Sequence, residues 1–389
     1  MKVIYVSALV SSTKMKQIIE KSIKKPLQSI QKFHRLMCEG LSKNNVEVET
    51  ISAIPMSSKI SKKRIWVEKK EREKNVIYKY IPFINIIGIR QLCIFIGSII
   101  MIIKNRKSKV FICDILNTTL SFSTVLLSKI FKYKCVAIVT DLPRDIGGKF
   151  SISKKINVFL QNKYDSYILL TEAMNEVVNK KNHPFIVIEG LADVEMSQNE
   201  NIINNKYKER VCIYAGGLYE RYGLKTLIEA FKSIENDTIR LHLYGTGELE
   251  DYIKNINDSR IKYFGVVTND IIIKEEIKAT LLINPRFSNE EYTKYSFPSK
   301  IMEYMSTGTP VLTTKLKGIP EEYFKYIFYF EDETCQGMKN KLEKILSLNI
   351  DELSKKGKSA REFVLKNKNN IEQTKKIIKL ISTVERNKK

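Results

Sequence analysis

Two kinds of residue cluster in this chain have types and spacings suited to chemistry on an anionic substrate. The first is KYSFPSKIMEYMSTGTPVL, residues 294–312. Ser296 and Ser299 are each able to cap a helix start, Pro298 suits a first turn, and Gly308 followed by Pro310 stops the helix after about three turns. Such a start exposes backbone N–H groups and the positive end of a dipole. Lys300 adds a cation in the first turn, where the dipole alone favours an acid. An anion would satisfy all of these together, and Glu303, one turn further in, would then accept hydrogen bonds from hydroxyls of the molecule carrying it. An ordinary helix between strands is the other reading of the same residues.

The second kind is a strand end followed by a glycine or carboxylate turn. AGGLYERYGLKTLIEAF, residues 215–231, places Gly216 and Gly217 before a helix starting near Leu224, with Arg221 as a planar, permanently charged fork. A plain strand-to-helix turn would need the glycines but not Arg221. YGTGELEDYI, residues 244–253, repeats the device with Gly245 and Gly247, and an Asn-Pro-Arg element ends in Arg286. TDLPRDIGGKF, residues 140–150, combines Asp141 and Asp145 with Arg144 and a glycine pair. A carboxylate there can act as a general base, hold acceptor hydroxyls or cap a turn.

The elements that must position these residues follow from hydrophobic runs. Strand-like segments recur at 3–9, 46–51, 76–81, 110–115, 135–139, 167–170 and 185–188, then at 211–214, 239–244, 261–264, 281–284, 310–314 and 327–330. Alternation of such runs with helical segments predicts parallel sheets covered by helices, and two series predict two Rossmann-like domains. The polar stretch 193–209 reads as the linker, which puts the boundary near residue 200. Domains are expected at 1–200 and 201–370, with a Lys-rich helical tail at 371–389. In open parallel sheets ligands sit beyond the carboxyl ends of the strands, so the turns named above are where a site belongs.

The 389 residues include 66 Lys and Arg against 43 Asp and Glu, a formal net charge of +23. That balance favours anionic partners: nucleic acid, an acidic membrane surface or phosphorylated substrates. It also fits a Lys-rich composition with no partner behind it. The first loop lacks G-x-G-x-x-G, which argues against a nicotinamide or flavin dehydrogenase. Six cysteines without C-x-x-C spacing read as buried thiols in a reducing compartment. His34, His183 and His242 do not cluster with acids, and a metal site is not expected. Residues 81–103 are nearly all apolar, but Pro82, Gly88 and Arg90 divide them, predicting a buried or surface-dipping helix rather than a span. With the basic stretches 14–25 and 59–74, this segment makes an anionic membrane surface an expected partner. The opening MKVIYVSALV reads as a strand rather than a secretory signal, giving a cytoplasmic expectation.

Residues 211–323 resemble the nucleotide-sugar half of retaining GT-B glycosyltransferases of family 4, the group 1 enzymes. The family's Pro-Ser-Lys-x-x-Glu-Tyr-x-x-x-Gly-x-Pro-Val run stands here as Pro298-Ser299-Lys300, Glu303-Tyr304, Gly308 and Pro310-Val311. The resemblance implies an α/β fold of two facing Rossmann-like domains with a cleft between them, and C-terminal helices crossing back to the first. It implies transfer of a sugar, UDP-linked, from its diphosphate to a glycan or lipid-linked acceptor in surface polysaccharide or glycolipid synthesis, at the inner face of the cell membrane. Retention implies departure and attack on one face, without a committed protein nucleophile; no metal or other cofactor is expected. Glu303 matches the Glu that holds the donor ribose. Tyr295 stands where the family has another Glu, so contacts to the donor sugar fall to Tyr295, Ser296 or Phe297, with Ser299 at the helix start. Gly217 and Tyr222 replace the family's Gly-Arg and Lys-Gly, leaving the diphosphate to Arg221, Lys300 and Arg286. Gly216, Gly245 and Gly247 line the donor pocket, and backbone around Gly265 and Val266 meets the nucleobase. Asp141 is the acceptor-side carboxylate. A nucleotide-sugar-binding protein without catalysis is the rival that Tyr295 favours. A basic nucleic-acid-binding protein is a more distant one, because the aromatics lie mostly in strands and the donor loop.

Overall fold

The computed structural model describes residues 1–22, 28–58, 60–142, 152–198 and 206–386. They form two α/β units, Met1–Leu191 with Asn370–Lys389, and Ala192–Asn369. The first unit contains strands β1 (Lys2–Ser7), β2 (Glu47–Ser52), β3 (Ile65–Trp66), β4 (Glu71–Glu73), β5 (Val76–Tyr80), β6 (Phe83–Ile84), β7 (Val110–Asp114), β8 (Lys134–Val139), β9 (Ser166–Leu169) and β10 (Phe185–Val187). Eight of them form one sheet in the order β10-β9-β8-β7-β1-β2-β5-β4. All its pairs are parallel except β4 with β5. Interior strands such as Val110-Phe111-Ile112-Cys113 are buried on both faces, as a helix-covered parallel sheet requires.

The helices of this unit are α1 (Ser12–Lys21), α2 (Gln28–Lys43), α3 (Ile89–Lys104), α4 (Thr118–Phe131), α5 (Ile152–Leu160) and α6 (Glu172–Val178). The last helix of the chain, residues 370–386, packs on α2. Gly40 makes that approach close, because a Cβ there would lie 2.1 Å from the Asn370 carbonyl oxygen. Asn44 Nδ2 then donates to the Ile371 carbonyl at 2.8 Å.

The second unit contains β11 (Arg210–Gly217), β12 (Ile239–Thr246), β13 (Ile261–Gly265), β14 (Leu281–Asn284), β15 (Val311–Thr314) and β16 (Phe328–Phe330). Its sheet is parallel throughout, in the order β13-β12-β11-β14-β15-β16. Its helices are α7 (Leu224–Lys232), α8 (Glu250–Lys254), α9 (Asn269–Lys278), α10 (Ser299–Thr307), α11 (Cys335–Leu346) and α12 (Ile350–Asn367), so the chain's last helix is α13 (Asn370–Arg386). One core cluster joins Leu227, Phe231 and Leu342 to one face of the sheet, and the other joins Ile301, Met305 and Val364.

Every strand expected from the apolar runs is present. Three more are not evident from hydrophobicity: β3 and β6, which pair antiparallel with Trp66 stacked on Phe83 at 6.2 Å, and β4. β4 lies in the stretch 59–74 that reads as a basic flank. Its neighbouring cations are partly engaged inside the unit, where Lys14 and Lys63 both pair with Glu68 at 2.8 and 3.3 Å. Of the cysteines, Cys38, Cys113, Cys135 and Cys212 are buried free thiols, but Cys335, at the first position of α11, is exposed.

Candidate functional site

Strand order in the second unit reverses between β11 and β14, and both strands run into helices through turns at their carboxyl ends. A crevice at such a reversal is where open α/β sheets take ligands. β11 ends in Gly216-Gly217. Tyr214 supports this turn from below: its hydroxyl donates to the Gly217 carbonyl at 2.6 Å, and a Cβ on Gly216 would lie 3.2 Å from that hydroxyl. After a short 3-10 turn, Glu220–Tyr222, Gly223 at φ +73° opens α7. A Cβ there would meet the Pro285 carbonyl oxygen at 2.0 Å, so the start of α7 abuts the turn leaving β14.

That contact brings two guanidinium groups to one ring. Arg286, just past β14, lies 4.5 Å from the centroid of Tyr222, and Arg221 lies 5.1 Å from the same centroid. Tyr219 stands edge-on to Tyr222 at 5.5 Å. Among the described residues neither arginine forms an ion pair, so two permanent charges share one aromatic platform. Burial raises the pKa of the Tyr214 and Tyr292 hydroxyls, and the positive field of Arg286 opposes the rise at both. A polyanion with two phosphoryl groups is the natural complement of such a pair.

The residues of α10 are arranged differently from expectation. Gly308 at φ +79° ends the helix as its sequence predicts. At the start the N-cap is Pro298, which has no side-chain acceptor to offer; neither Ser296 nor Ser299 occupies that position. Lys300 is ion-paired within the unit, to Glu303 and, at 3.4 Å, to Glu276 of α9. Burial disfavours its charge, but the two carboxylates outweigh that and hold the ammonium above its ordinary range. Lys300 therefore positions Glu303 as much as it offers a cation to a ligand. Tyr304 fixes the helix beneath β11, its hydroxyl accepting from the Ala215 N–H at 2.9 Å.

Other expected residues separate into scaffold and surface. Phe297 is buried, its ring 5.4 Å from that of Tyr323 in the core, so its side chain is not available to a donor sugar. Tyr295 ends a 3-10 turn, and it and Ser296 are partly exposed, while Ser299 is exposed. The Ser296 carbonyl is approached by Gly318, where a Cβ would lie 2.2 Å from it. Gly245 and Gly247 are required by strand packing: their Cβ positions fall 1.8 Å from the Gly216 oxygen and 2.4 Å from the Leu218 oxygen. Val266 is exposed after Gly265, beside Phe264, whose ring stacks on Tyr244 at 4.8 Å. Asp141 is exposed at the end of β8 in the first unit; Arg144 and Asp145 lie outside the described residues. His34 is packed in that unit, with Nδ1 2.6 Å from the Tyr5 hydroxyl and Nε2 3.6 Å from Asp114. Sequence reasoning missed Glu276, Gly318 and the platform role of Tyr222; the Lys-Gly-Ile-Pro run at 317–320 was the one local signal for Gly318.

Residues 209–347 match the sequence model of the family described as glycosyl transferases group 1. A search of curated protein sequences finds no match. The fold is that of GT-B glycosyltransferases. Sucrose-phosphate synthase from Thermosynechococcus elongatus superposes with a TM-score of 0.70 at 14% identity, covering 99% of both chains. The catalytic domain of starch synthase IV from Arabidopsis thaliana, bound to ADP and acarbose, gives 0.69 at 8% identity, again covering 99% of both. Anabaena HepE in complex with UDP-glucose gives 0.62 at 14% identity, over 98% of this chain and all of that one.

Proposed function

We propose that this protein is a glycosyltransferase that moves a hexosyl group from a UDP-sugar to a glycan or lipid-linked acceptor, with retention, in surface polysaccharide or glycolipid synthesis at the inner face of the cell membrane. The observation that carries the reading is the pair Arg221 and Arg286, both close to the Tyr222 ring at the strand-order reversal. Both are left without an ion-pair partner among the described residues. The match to group 1 glycosyl transferases spans these residues.

In this reading the diphosphate lies against Arg221 and Arg286 and the first turns of α7 and α10. Charge building on the leaving diphosphate is stabilised by groups already oriented toward it, without a divalent ion. Glu303, held by Lys300, accepts the ribose hydroxyls, and Asp141 serves the acceptor hydroxyl. Residues 295–299 supply backbone and hydroxyl contacts to the donor sugar, and the nucleobase lies by Gly265 and Val266. Titration calorimetry with UDP in the presence of chelator tests the donor site, with binding expected. A panel of nucleotide sugars assayed for slow hydrolysis then identifies the donor. A strict metal requirement for binding would overturn the arginine clamp. Binding of a nucleotide sugar with no turnover toward water or acceptor would favour a sensor in place of a transferase.

A further inference from the structure

A helix on the surface of a globular unit ordinarily turns its apolar side inward and its polar side out. Three neighbouring helices of the first unit depart from this. In α4 the buried positions include Ser121, Ser123, Thr124 and Ser128, while Phe122, Leu126 and Ile130 point outward, Ile130 being 60% exposed. In α5 Asn157 is buried while Ile152 and Phe159 are 76% and 62% exposed. α3 is apolar all round: Ile94, Ser98 and Ile102 face in, and Leu92, Ile96 and Ile100 face out on the opposite side.

These helices form one surface. α4 contacts both others, with Phe95 and Phe122 rings 5.9 Å apart and Ser98 Oγ donating to Ser123 Oγ at 2.7 Å. The inward hydroxyls are satisfied, Ser123 and Thr124 donating to the Leu120 carbonyl at 3.0 and 2.7 Å and Ser121 pairing with the Tyr164 hydroxyl at 2.6 Å. Small polar groups thus share the inward faces with Leu120, Val125, Leu127 and Leu160, and a second set of large apolar side chains remains outside. A contiguous exposed apolar face on this scale marks an interaction surface.

Charge indicates the occupant. The three helices contain 16, 14 and 9 residues, none of them Asp or Glu. Their charged residues are Arg90, Lys104, Lys129, Lys154 and Lys155, and exposed Arg106 and Lys107 continue the series beyond α3. Two copies meeting through this face would bring cation against cation with no carboxylate to neutralise them. An anionic lipid leaflet supplies negative charge and an apolar interior together. A 16-residue helix rises about 24 Å, short of a hydrocarbon core of about 30 Å, and no described helix is long and apolar enough to cross a membrane.

We propose that the outer face of α3, α4 and α5 docks on an anionic bilayer, with Leu92, Ile96, Phe122, Leu126, Ile130 and Phe159 entering the acyl boundary beneath a rim of Lys and Arg. This assigns the lipid-facing surface to α3, α4 and α5 themselves, with the basic stretch 59–74 not required for it. It gives the glycosyl-transfer reading a position at lipid-linked acceptors, yet does not depend on it. The test is flotation of the full chain with phosphatidylcholine vesicles, with and without phosphatidylglycerol. The wild type is expected to float with the mixed vesicles. The triple variant Leu92→Gln, Phe122→Gln, Ile130→Gln is expected to lose tenfold or more in partitioning with its melting temperature unchanged, and Lys129→Glu with Lys155→Glu to lose binding chiefly at low salt. Three results overturn the proposal: no wild-type flotation, equal flotation of the triple variant, or equal recovery on phosphatidylcholine alone. A concentration-dependent dimer abolished by the triple variant, without vesicle binding, assigns the face to a second copy instead. Failure of UDP binding with flotation intact would remove only the transferase reading.

Discussion

Both units send a central strand into a helix at a reversal of strand order, β1 into α1 and β11 into α7, and treat the helix start in opposite ways. After β1 the protein fills the start itself. Ser11 Oγ accepts from Lys14 N–H at 3.0 Å, and the Glu73 carboxylate accepts from Ser12 N–H at 3.0 Å and Thr13 N–H at 3.1 Å. After β11 the N-cap is Gly223, which has no side chain, and the N-cap of α10 is Pro298, which has no side-chain acceptor. Orphan N–H groups at a helix start are served by a side chain, water or a ligand. Topology alone therefore does not make an anion site. The helix start must also be left unfilled by the protein's own carboxylates, and in the first unit β4 removes that condition by bringing Glu73 to α1.

The largest effect expected from this contrast is in the second unit. Arg221→Ala with Arg286→Ala removes two charge-assisted contacts, each worth about 1.5–3 kcal/mol. UDP affinity measured by calorimetry should fall by a hundredfold or more, with little change in melting temperature; wild-type affinity in this variant would dissolve the contrast. Glu303→Gln should follow, at about ten- to a hundredfold in donor affinity by the same estimate. Unchanged affinity sinks the ribose assignment, and a joint fall of affinity and melting temperature would make Glu303 only the structural partner of Lys300.

Gly223→Ala should be felt in folding and binding together. The residue sits at φ +73° and the new methyl would meet the Pro285 oxygen, so a loss of about 1–3 kcal/mol in denaturant unfolding is expected, with weaker UDP binding. Stability loss with full UDP affinity would show that the Arg286 turn does not depend on this contact.

In the first unit Glu73→Gln should cost about 1 kcal/mol at neutral pH and leave UDP binding unaltered. Burial would raise the pKa of Glu73, but the hydroxyl and N–H groups of Ser12 and Thr13 outweigh it and hold the carboxyl below its usual range. Its contribution is present above the unfolded carboxyl's pKa of about 4.3 and disappears as pH falls through the lower folded value. The difference between wild type and variant should accordingly vanish in acid, as followed by denaturant titrations across pH. The smallest effect is sought by giving the second unit what the first already has. Pro298→Asp introduces a capping acceptor at α10, and should add about 0.5 kcal/mol of stability while weakening UDP several-fold through like charge. A gain in UDP affinity would place the phosphates elsewhere.

Much of this protein follows from local pattern. Apolar runs placed the interior strands to within three residues, because a strand buried on both faces has to be apolar throughout, and the 210–217 strand extends the expected 211–214 by Arg210 at one end and by Ala215, Gly216 and Gly217 at the other. Gly308 ended α10 where predicted, because its left-handed backbone excludes other side chains at little cost only for glycine. The Pro-Ser-Lys-x-x-Glu-Tyr run placed Glu303 and Tyr304 one turn inside that helix for the same reason of fixed periodicity.

What tertiary structure decided is which of these groups remain available. Nothing local to Lys300 indicates that Glu276, from a different helix, arrives beside it, or that Phe297 turns into the core toward Tyr323. Arg221 and Arg286 are distant in sequence, and only the pairing of β11 with β14 brings them to one ring. The outward faces of α4 and α5 were equally hidden, and for α3 the sequence left a buried and a surface-dipping helix both open, since an apolar helix reads as core until its neighbours show which side they leave uncovered. Helix-terminating glycines and hydrophobic periodicity act over a few residues and are written in the chain. Ion pairing and exposure depend on groups that meet only once the chain has folded.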